Sequence, residues 1–81
     1  MAASLEDIKR WVNNREPKHT HMLVVCDEFD HEDYPVYVEK GEDALTIVKE
    51  YNKRSMQRVI EVYNFSLDID MQLNQGRAYN L

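Results

Sequence analysis

One apolar stretch sets the architecture of this 81-residue chain: His21-Met22-Leu23-Val24-Val25-Cys26. After its histidine it is made of aliphatic and β-branched residues, with no polar residue at alternate positions. Polar alternation is typical of a strand with one face in solvent, whereas an unbroken apolar run is typical of a strand that is covered on both faces. We therefore predict a central, buried β-strand over residues 21–26.

Two further strands are predicted downstream. Tyr34–Glu39 contains β-forming residues, and the Asp-rich connection over 27–33 favours a turn, so this segment and the central strand should form a hairpin. Pro35 has no N–H to donate, which places it at the start of its strand or at a sheet edge. Residues 56–65 have high β propensity and are predicted to form the third strand.

Helices are predicted on either side of these strands in the sequence. Ser4 is a good N-cap, and apolar residues recur at helical spacing up to about Asn14, before Pro17 prevents the helix from continuing. The tripeptide Gly41-Glu42-Asp43 precedes a second amphipathic segment, which ends near Lys53. The chain thus begins with a helix and places another between its second and third strands.

The tail, residues 66–76, is ambiguous by pattern. Its apolar residues alternate strictly with polar ones, which indicates a strand. However, Asp, Asn, Gln and Met are poor strand formers, Ser66 or Asp68 can cap a helix, and Gly76 can end one, so we predict a helix. The resulting order is αββαβα, in a single domain over residues 1–81. We expect an α+β fold with a three-stranded, mainly antiparallel sheet and with the helices packed on one face.

Charge is distributed unevenly along the chain. The net charge is −5, but residues 27–43 alone carry −7, and the remaining residues sum to +2. This balance argues against the broad basic surface of a nucleic-acid-binding protein. Two smaller basic groups, near the first helix and near the end of the second, would have to converge to contact phosphates. Direct binding of nucleic acid is therefore not expected.

The sequence also bears on the cellular compartment. Cys26 is the only cysteine and cannot form an internal disulfide, which fits a reducing compartment. The chain has neither a signal-peptide pattern nor a run of about 18 apolar residues that could span a membrane. We expect a cytoplasmic protein without a membrane partner.

The acidic hairpin is the candidate site for binding a partner protein. Its carboxylates can meet a basic surface, and exposed aromatic side chains beside charge make good interface anchors. The alternative is that this segment has no binding role and is a solvated loop whose charges keep a small protein soluble. The candidate partner-binding residues are Asp27, Glu28, Phe29, Asp30, Glu32, Asp33, Tyr34 and Tyr37.

Chemistry at a metal or a nucleophile is not supported by the residue spacing. The acidic run around His31 has no glycine at the sixth position that a calcium-binding EF-hand loop requires, and His19 with His21 offers only half of a zinc site. Cys26 lies among aliphatic residues, which predicts an unreactive thiol. With no phosphate-binding loop and no nucleophile elbow, we predict no catalytic residue, metal ligand or cofactor, and a protein that is not an enzyme.

Several segments give the chain a family resemblance. They are the run from His21 to Asp27, Phe29-Asp30, Asp33-Tyr34-Pro35-Val36-Tyr37-Val38, the run from Met56 to Tyr63, Gln72-Leu73-Asn74 and Arg77-Ala78. Over about residues 20–78 the chain resembles small proteins encoded by bacteriophages, prophages and related mobile elements, whose usual description is uncharacterised protein. The resemblance supplies no catalytic residues. It implies a genetic setting in which small acidic proteins inhibit host enzymes or defence systems, anti-CRISPR proteins among them.

These observations give two functional hypotheses from different classes. The first is a protein-binding module of phage type that docks its acidic hairpin on a basic surface of a host protein. The second is a small structural or assembly protein that works as a homo-oligomer, with Tyr34–Glu39 as the edge strand that joins the copies.

Overall fold

Six secondary-structure elements follow one another along the chain. The computed structural model describes residues 3–81. The elements are α1 (Leu5–Asn13), β1 (His19–Asp27), β2 (Glu32–Glu39), α2 (Ala44–Lys53), β3 (Gln57–Asn64) and α3 (Ile69–Leu73). The predicted order αββαβα and the α+β class are confirmed, and the first two strands extend beyond their predicted bounds toward the hairpin and the first loop.

The strands form one antiparallel sheet in the order β2-β1-β3, with β1 in the centre. Leu23 and Val24 are adjacent in β1 and face opposite sides of the sheet, yet both have no solvent exposure. The prediction of a strand covered on both faces is therefore confirmed. Pro35 lies in the edge strand β2, opposite Val24, where its missing N–H can face away from the ladder.

The helices pack on both faces of the sheet, so our expectation that they share one face was wrong. On one side α2 closes a core of Leu23, Val25, Val38, Ala44, Val48, Val59 and Val62. On the other side α1 closes a core of Ile8, Val12, Met22, Val24, Tyr63 and Ala78, against which the side chains of α3 also pack. The physical reason is the apolar run in β1, because a strand with two apolar faces needs a layer on each.

Local capping explains where the helices begin. The Ser4 hydroxyl accepts the Asp7 N–H at 3.1 Å, and the Asp7 carboxylate accepts the Ser4 N–H at 3.2 Å, which completes a capping box for α1. In the tail the carboxylate of Asp68 accepts the N–H of Met71 at 3.2 Å. The tail is therefore helical, as predicted, although α3 spans only residues 69–73.

The tail also covers the outer edge of β3, which the sequence did not predict. Val62 donates its N–H to Ala78 and accepts the Asn80 N–H, so that Tyr79 pairs with Val62 in a short parallel bridge. Nearer the end of β3, the side-chain amide of Gln72 accepts the Asn64 N–H at 2.7 Å and donates to the Asn64 carbonyl at 2.9 Å. Gln72 thus pairs with Asn64 as a neighbouring strand would, while being completely buried.

Candidate protein-interaction surface

The acidic hairpin ends in a tight turn that is held by one of its own carboxylates. We call residues 27–33 the acidic tip. β1 ends at Asp27 and β2 begins at Glu32. The Asp27 carboxylate accepts the N–H of Phe29 at 2.9 Å and the N–H of Asp30 at 3.4 Å, and His31 takes the left-handed conformation at φ 58°. Aspartate and histidine suit these positions, because short polar side chains bond to the turn backbone and tolerate positive φ.

Two contacts brace the acidic tip against the rest of the fold. The Glu28 N–H donates to the Met56 carbonyl at 2.7 Å, which ties the tip to the turn between α2 and β3. The Asp33 carboxylate accepts the Ala3 N–H at 2.8 Å, which ties it to the start of α1. These hydrogen bonds connect the tip to the segment before α1 and to the turn after α2, which restrains its backbone in the free protein.

The carboxylates of the acidic tip divide into two kinds. Asp27 and Asp33 accept the backbone hydrogen bonds just described and are partly buried. Glu28, Asp30 and Glu32 are exposed, and none of their carboxylates forms a hydrogen bond or an ion pair within residues 3–81. In this part of the chain, three negative charges around the turn therefore have no ion-pair partner.

Phe29 is the aromatic side chain that the structure leaves exposed at the tip. It has 75% of its surface in solvent, although it stands in the middle of a charged turn. An exposed phenylalanine gives the folded chain no hydrophobic stabilisation, but it can bury most of its surface against a partner. The residue pattern around Phe29 is thus that of an aromatic anchor ringed by charge.

The other two aromatic residues predicted as anchors, Tyr34 and Tyr37, pack against the cores on the two sides of the sheet. They lie three positions apart in β2, so their side chains face opposite sides. Tyr34 donates its hydroxyl to Gln57 at 3.0 Å, and Tyr37 donates its hydroxyl to the Trp11 carbonyl while its ring stacks on His19 at 4.6 Å. Burial raises the pKa of both hydroxyls. The structure does not bring these rings together with Phe29.

The remaining acidic residues of segment 27–43 lie at the opposite end of β2. Glu32 and Glu39 are the two ends of that strand, about 23 Å apart at about 3.3 Å per residue. At the far end each carboxylate has a local partner. Glu39 pairs with Lys18 at 3.2 Å, Glu42 accepts the Glu39 N–H and Asp43 accepts the Thr46 hydroxyl. The charge of −7 is therefore divided between two places, and within residues 3–81 the carboxylates without partners are Glu28, Asp30 and Glu32 of the acidic tip.

Two arginines, Arg54 and Arg58, lie near the start of β3. Arg58 is opposite Cys26 in β3, and Arg54 at the end of α2 stacks its guanidinium 4.1 Å from the centre of the Tyr51 ring. Because β1 separates β3 from β2, Arg58 lies across the central strand from β2, and β3 carries no net charge because it also contains Glu61. The basic group of α1 and that of α2 lie on opposite faces of the sheet, so they do not converge on one phosphate site.

The cysteine and histidine positions form no reactive arrangement among residues 3–81. Partial burial and the neighbouring Asp33 carboxylate raise the pKa of the Cys26 thiol, which keeps it protonated. In the described part of the chain no group of three or more His, Cys, Asp and Glu side chains is arranged to hold a metal ion. His19, the first residue of β1, accepts the Glu16 N–H at 3.0 Å, which holds its ring against the loop before the strand.

A groove at the end of the sheet opposite the acidic tip was not predicted from the sequence. It has a volume of about 470 Å³ and lies between the end of α1 and the start of β1. The Arg15 guanidinium sits 5.2 Å from the centre of the Phe65 ring at its wall. Phe65 is partly buried against the core that α1 closes, and only the spatial approach of Arg15 and Phe65 could have revealed this contact.

Comparison with models of protein families, with curated protein sequences and with solved structures finds no match to this chain. Within residues 3–81, no helix is both long and apolar enough to cross a membrane.

Proposed function

We propose that this protein is a non-enzymatic binding module that docks its acidic tip on a basic surface of a partner protein. One observation carries the proposal. The tip presents Phe29 in solvent beside the carboxylates of Glu28, Asp30 and Glu32, which have no partner within residues 3–81, on a turn that hydrogen bonds to Ala3 and Met56 hold in place.

At such a tip the carboxylates act mainly on the rate of association, and the aromatic ring acts mainly on the affinity. Unneutralised carboxylates steer association with a basic surface and set its orientation, while the buried aromatic ring supplies most of the contact energy. Both terms need the turn to be ordered in the free protein, so that little entropy is lost on binding. Binding of this kind weakens as salt screens the charges.

The resemblance to phage-encoded proteins supports a more specific proposal. In that setting the partner is a host enzyme or a host defence protein, and the binding module acts as an inhibitor, as anti-CRISPR proteins do. A nucleic-acid-binding groove is the basic surface that such a tip would fit. The acidic tip is too short to imitate duplex DNA along its length, since DNA carries one charge about every 1.7 Å.

The test uses variants with equal changes in charge. A tip variant carries Glu28→Gln, Asp30→Asn and Glu32→Gln, and a control variant carries Glu6→Gln, Glu16→Gln and Glu50→Gln, which are exposed positions elsewhere. A partner recovered from bacterial host lysate is then titrated with each purified protein by calorimetry. We expect the tip variant to bind at least about tenfold more weakly and the control variant to bind within about twofold of the native protein.

A further variant, Phe29→Ser, separates the aromatic ring from the charges. We expect it to lower affinity by about tenfold or more with little change in salt dependence. Equal losses for the tip and control variants, or no loss for either, would contradict the proposal.

A second candidate function, a homo-oligomeric assembly protein, is favoured by one feature of the sheet. β2 is an edge strand, and within residues 3–81 no segment pairs with its outer side. Light scattering distinguishes the two functions. A stable multimer at low micromolar concentration would favour assembly, and a monomer would favour the binding module.

A further inference from the structure

The two edges of the sheet differ in how their backbone groups are used. On the β3 side the tail bonds to Val62, and the Gln72 amide bonds to Asn64. On the β2 side the described residues provide no comparable cover. Uncovered edge strands are the usual place where another chain adds a strand, so β2 is the side of the sheet that can bind one.

Hydrogen bonds at the end of β2 show which backbone groups point outward. The Lys40 N–H donates to the Lys18 carbonyl, toward the β1 side, whereas the Glu39 N–H donates to the Glu42 side chain. Inward and outward groups alternate along an antiparallel strand, so the outward set is Asp33, Pro35, Tyr37 and Glu39. Glu42 already occupies both backbone groups of Glu39. Asp33 and Tyr37 therefore offer an N–H and a carbonyl each, and Pro35 offers a carbonyl.

We propose that the outer edge of β2 binds an extended, basic segment of the partner protein as a fourth strand. The inference rests on the proposed function, since it names the part of the partner that would lie beside the acidic tip. The tip then sets the charge of that segment, because Glu32 and Asp33 flank the start of the edge and Glu28 and Asp30 stand just beyond it. An extended chain with Lys or Arg next to these carboxylates satisfies both the backbone groups and the charges.

A second copy of this chain fits the same edge poorly. Two β2 strands can pair about a two-fold axis only in registers that match outward residues with outward residues. The register centred on Pro35 opposes two prolines and loses both hydrogen bonds at its centre. The register centred on Val36 sets Asp33 against Glu39 twice, which places like charges opposite each other. A foreign basic strand has neither defect.

Amide exchange measured by NMR tests the inference on the whole chain. The probe is a blocked peptide, KTVKVTK, which reads the same in both directions and can therefore pair in either orientation. At saturating peptide we expect exchange of the Asp33 and Tyr37 amides to slow by about fivefold or more, while the inward amides of Val36 and Val38 change little. A peptide with glutamate in place of lysine should give no protection.

The same peptide with every backbone nitrogen methylated keeps its charge and loses its donors, which separates strand addition from charge attraction. Protection that disappears with methylation supports the inference. Equal shifts at residues 28–31 with both basic peptides, and no protection at Asp33 or Tyr37, would overturn the inference and leave the tip proposal standing. Binding of neither basic peptide would also overturn it, while the calorimetric comparison of tip and control variants decides the proposed function separately. Concentration-dependent protection without peptide would assign the edge to a second copy and overturn the inference.

Discussion

The β3 side and the β2 side of the sheet treat polar groups in opposite ways. Along β3, the tail and a buried glutamine satisfy backbone groups that would otherwise face solvent. Along the outer edge of β2 several backbone groups, and at the acidic tip the carboxylates of Glu28, Asp30 and Glu32, remain without protein partners within residues 3–81. Groups with partners contribute to folding, whereas ordered groups without partners are available to bind. The β3 side therefore serves stability, and the β2 side is the one on which function should depend.

The largest loss of stability should come from a substitution of Gln72, which lies on the β3 side. In Gln72→Leu the N–H and carbonyl of Asn64 lose their partners and remain partly buried, which should lower the free energy of unfolding by about 2–4 kcal/mol. Urea denaturation gives this number directly. Met71→Gln, on the exposed face of the same helix, is the control and should stay within about 0.5 kcal/mol. A loss of the same size in both variants would show that helix propensity, and not edge closure, is responsible.

The bridge to Val62 should matter less. Asn80→Pro removes the N–H that donates to the Val62 carbonyl and should cost about 1 kcal/mol. Tyr79→Pro is a matched control, because the Tyr79 N–H donates to no backbone acceptor within residues 3–81. Thermal unfolding of both variants, with Asn80→Ala to account for the side-chain bond to Gln75, isolates the backbone contribution. Equal destabilisation by the two prolines would mean that the bridge contributes nothing of its own.

Neutralising the exposed carboxylates on the β2 side should leave the free energy of unfolding nearly unchanged. The variant with Glu28→Gln, Asp30→Asn and Glu32→Gln loses no hydrogen bond, so its free energy of unfolding should lie within about 0.5 kcal/mol of the native value. Urea denaturation checks this before any binding experiment. A marked loss of stability would show that these carboxylates stabilise the fold. It would also remove the contrast between the β2 side and the β3 side.

The smallest effect concerns a carboxylate that does have partners. Hydrogen bonds from the Ser4 backbone and from Arg10 hold the pKa of Asp7 below its usual value of 3.8. A carboxyl with a lowered folded-state pKa stabilises the fold above its unfolded pKa, and that stability is lost as the pH falls through the folded value. The native protein should therefore exceed Asp7→Asn in stability near neutral pH, and the difference should shrink below about pH 4. A difference that is constant with pH would exclude this cause.

Sequence patterns were sufficient for elements whose determinants are local. The apolar run in β1 and the cap at Ser4 depend on neighbouring residues and were predicted, and Asp68 was one of the two residues predicted to cap the last helix. The same run also indicated that helices must cover both faces, because Met22 and Leu23 point to opposite sides. Our expectation of helices on one face overlooked that consequence.

The candidate site was less predictable, because the charge and the aromatic content of a segment do not show which way its side chains point. Tyr34 and Tyr37 differ by an odd number of positions, which places them on opposite faces once the strand is known. Likewise, a strand of eight residues necessarily separates Glu32 from Glu39. The partners of Gln72 and of Asp33 are distant in sequence, so no local pattern could have revealed which polar groups are satisfied and which are not.

The hydrogen bond from Tyr37 to the carbonyl of Trp11 gives the molecule an optical reporter of its own edge strand. Trp11 is the only tryptophan of the chain, and its backbone is bonded to the strand that we assign to partner binding. Trp11 and Tyr37 also pack against the same core, so a displacement of β2 that moves Tyr37 should change the environment of a single indole. Fluorescence emission and anisotropy of the unlabelled protein should follow the arrival of a ligand strand in real time.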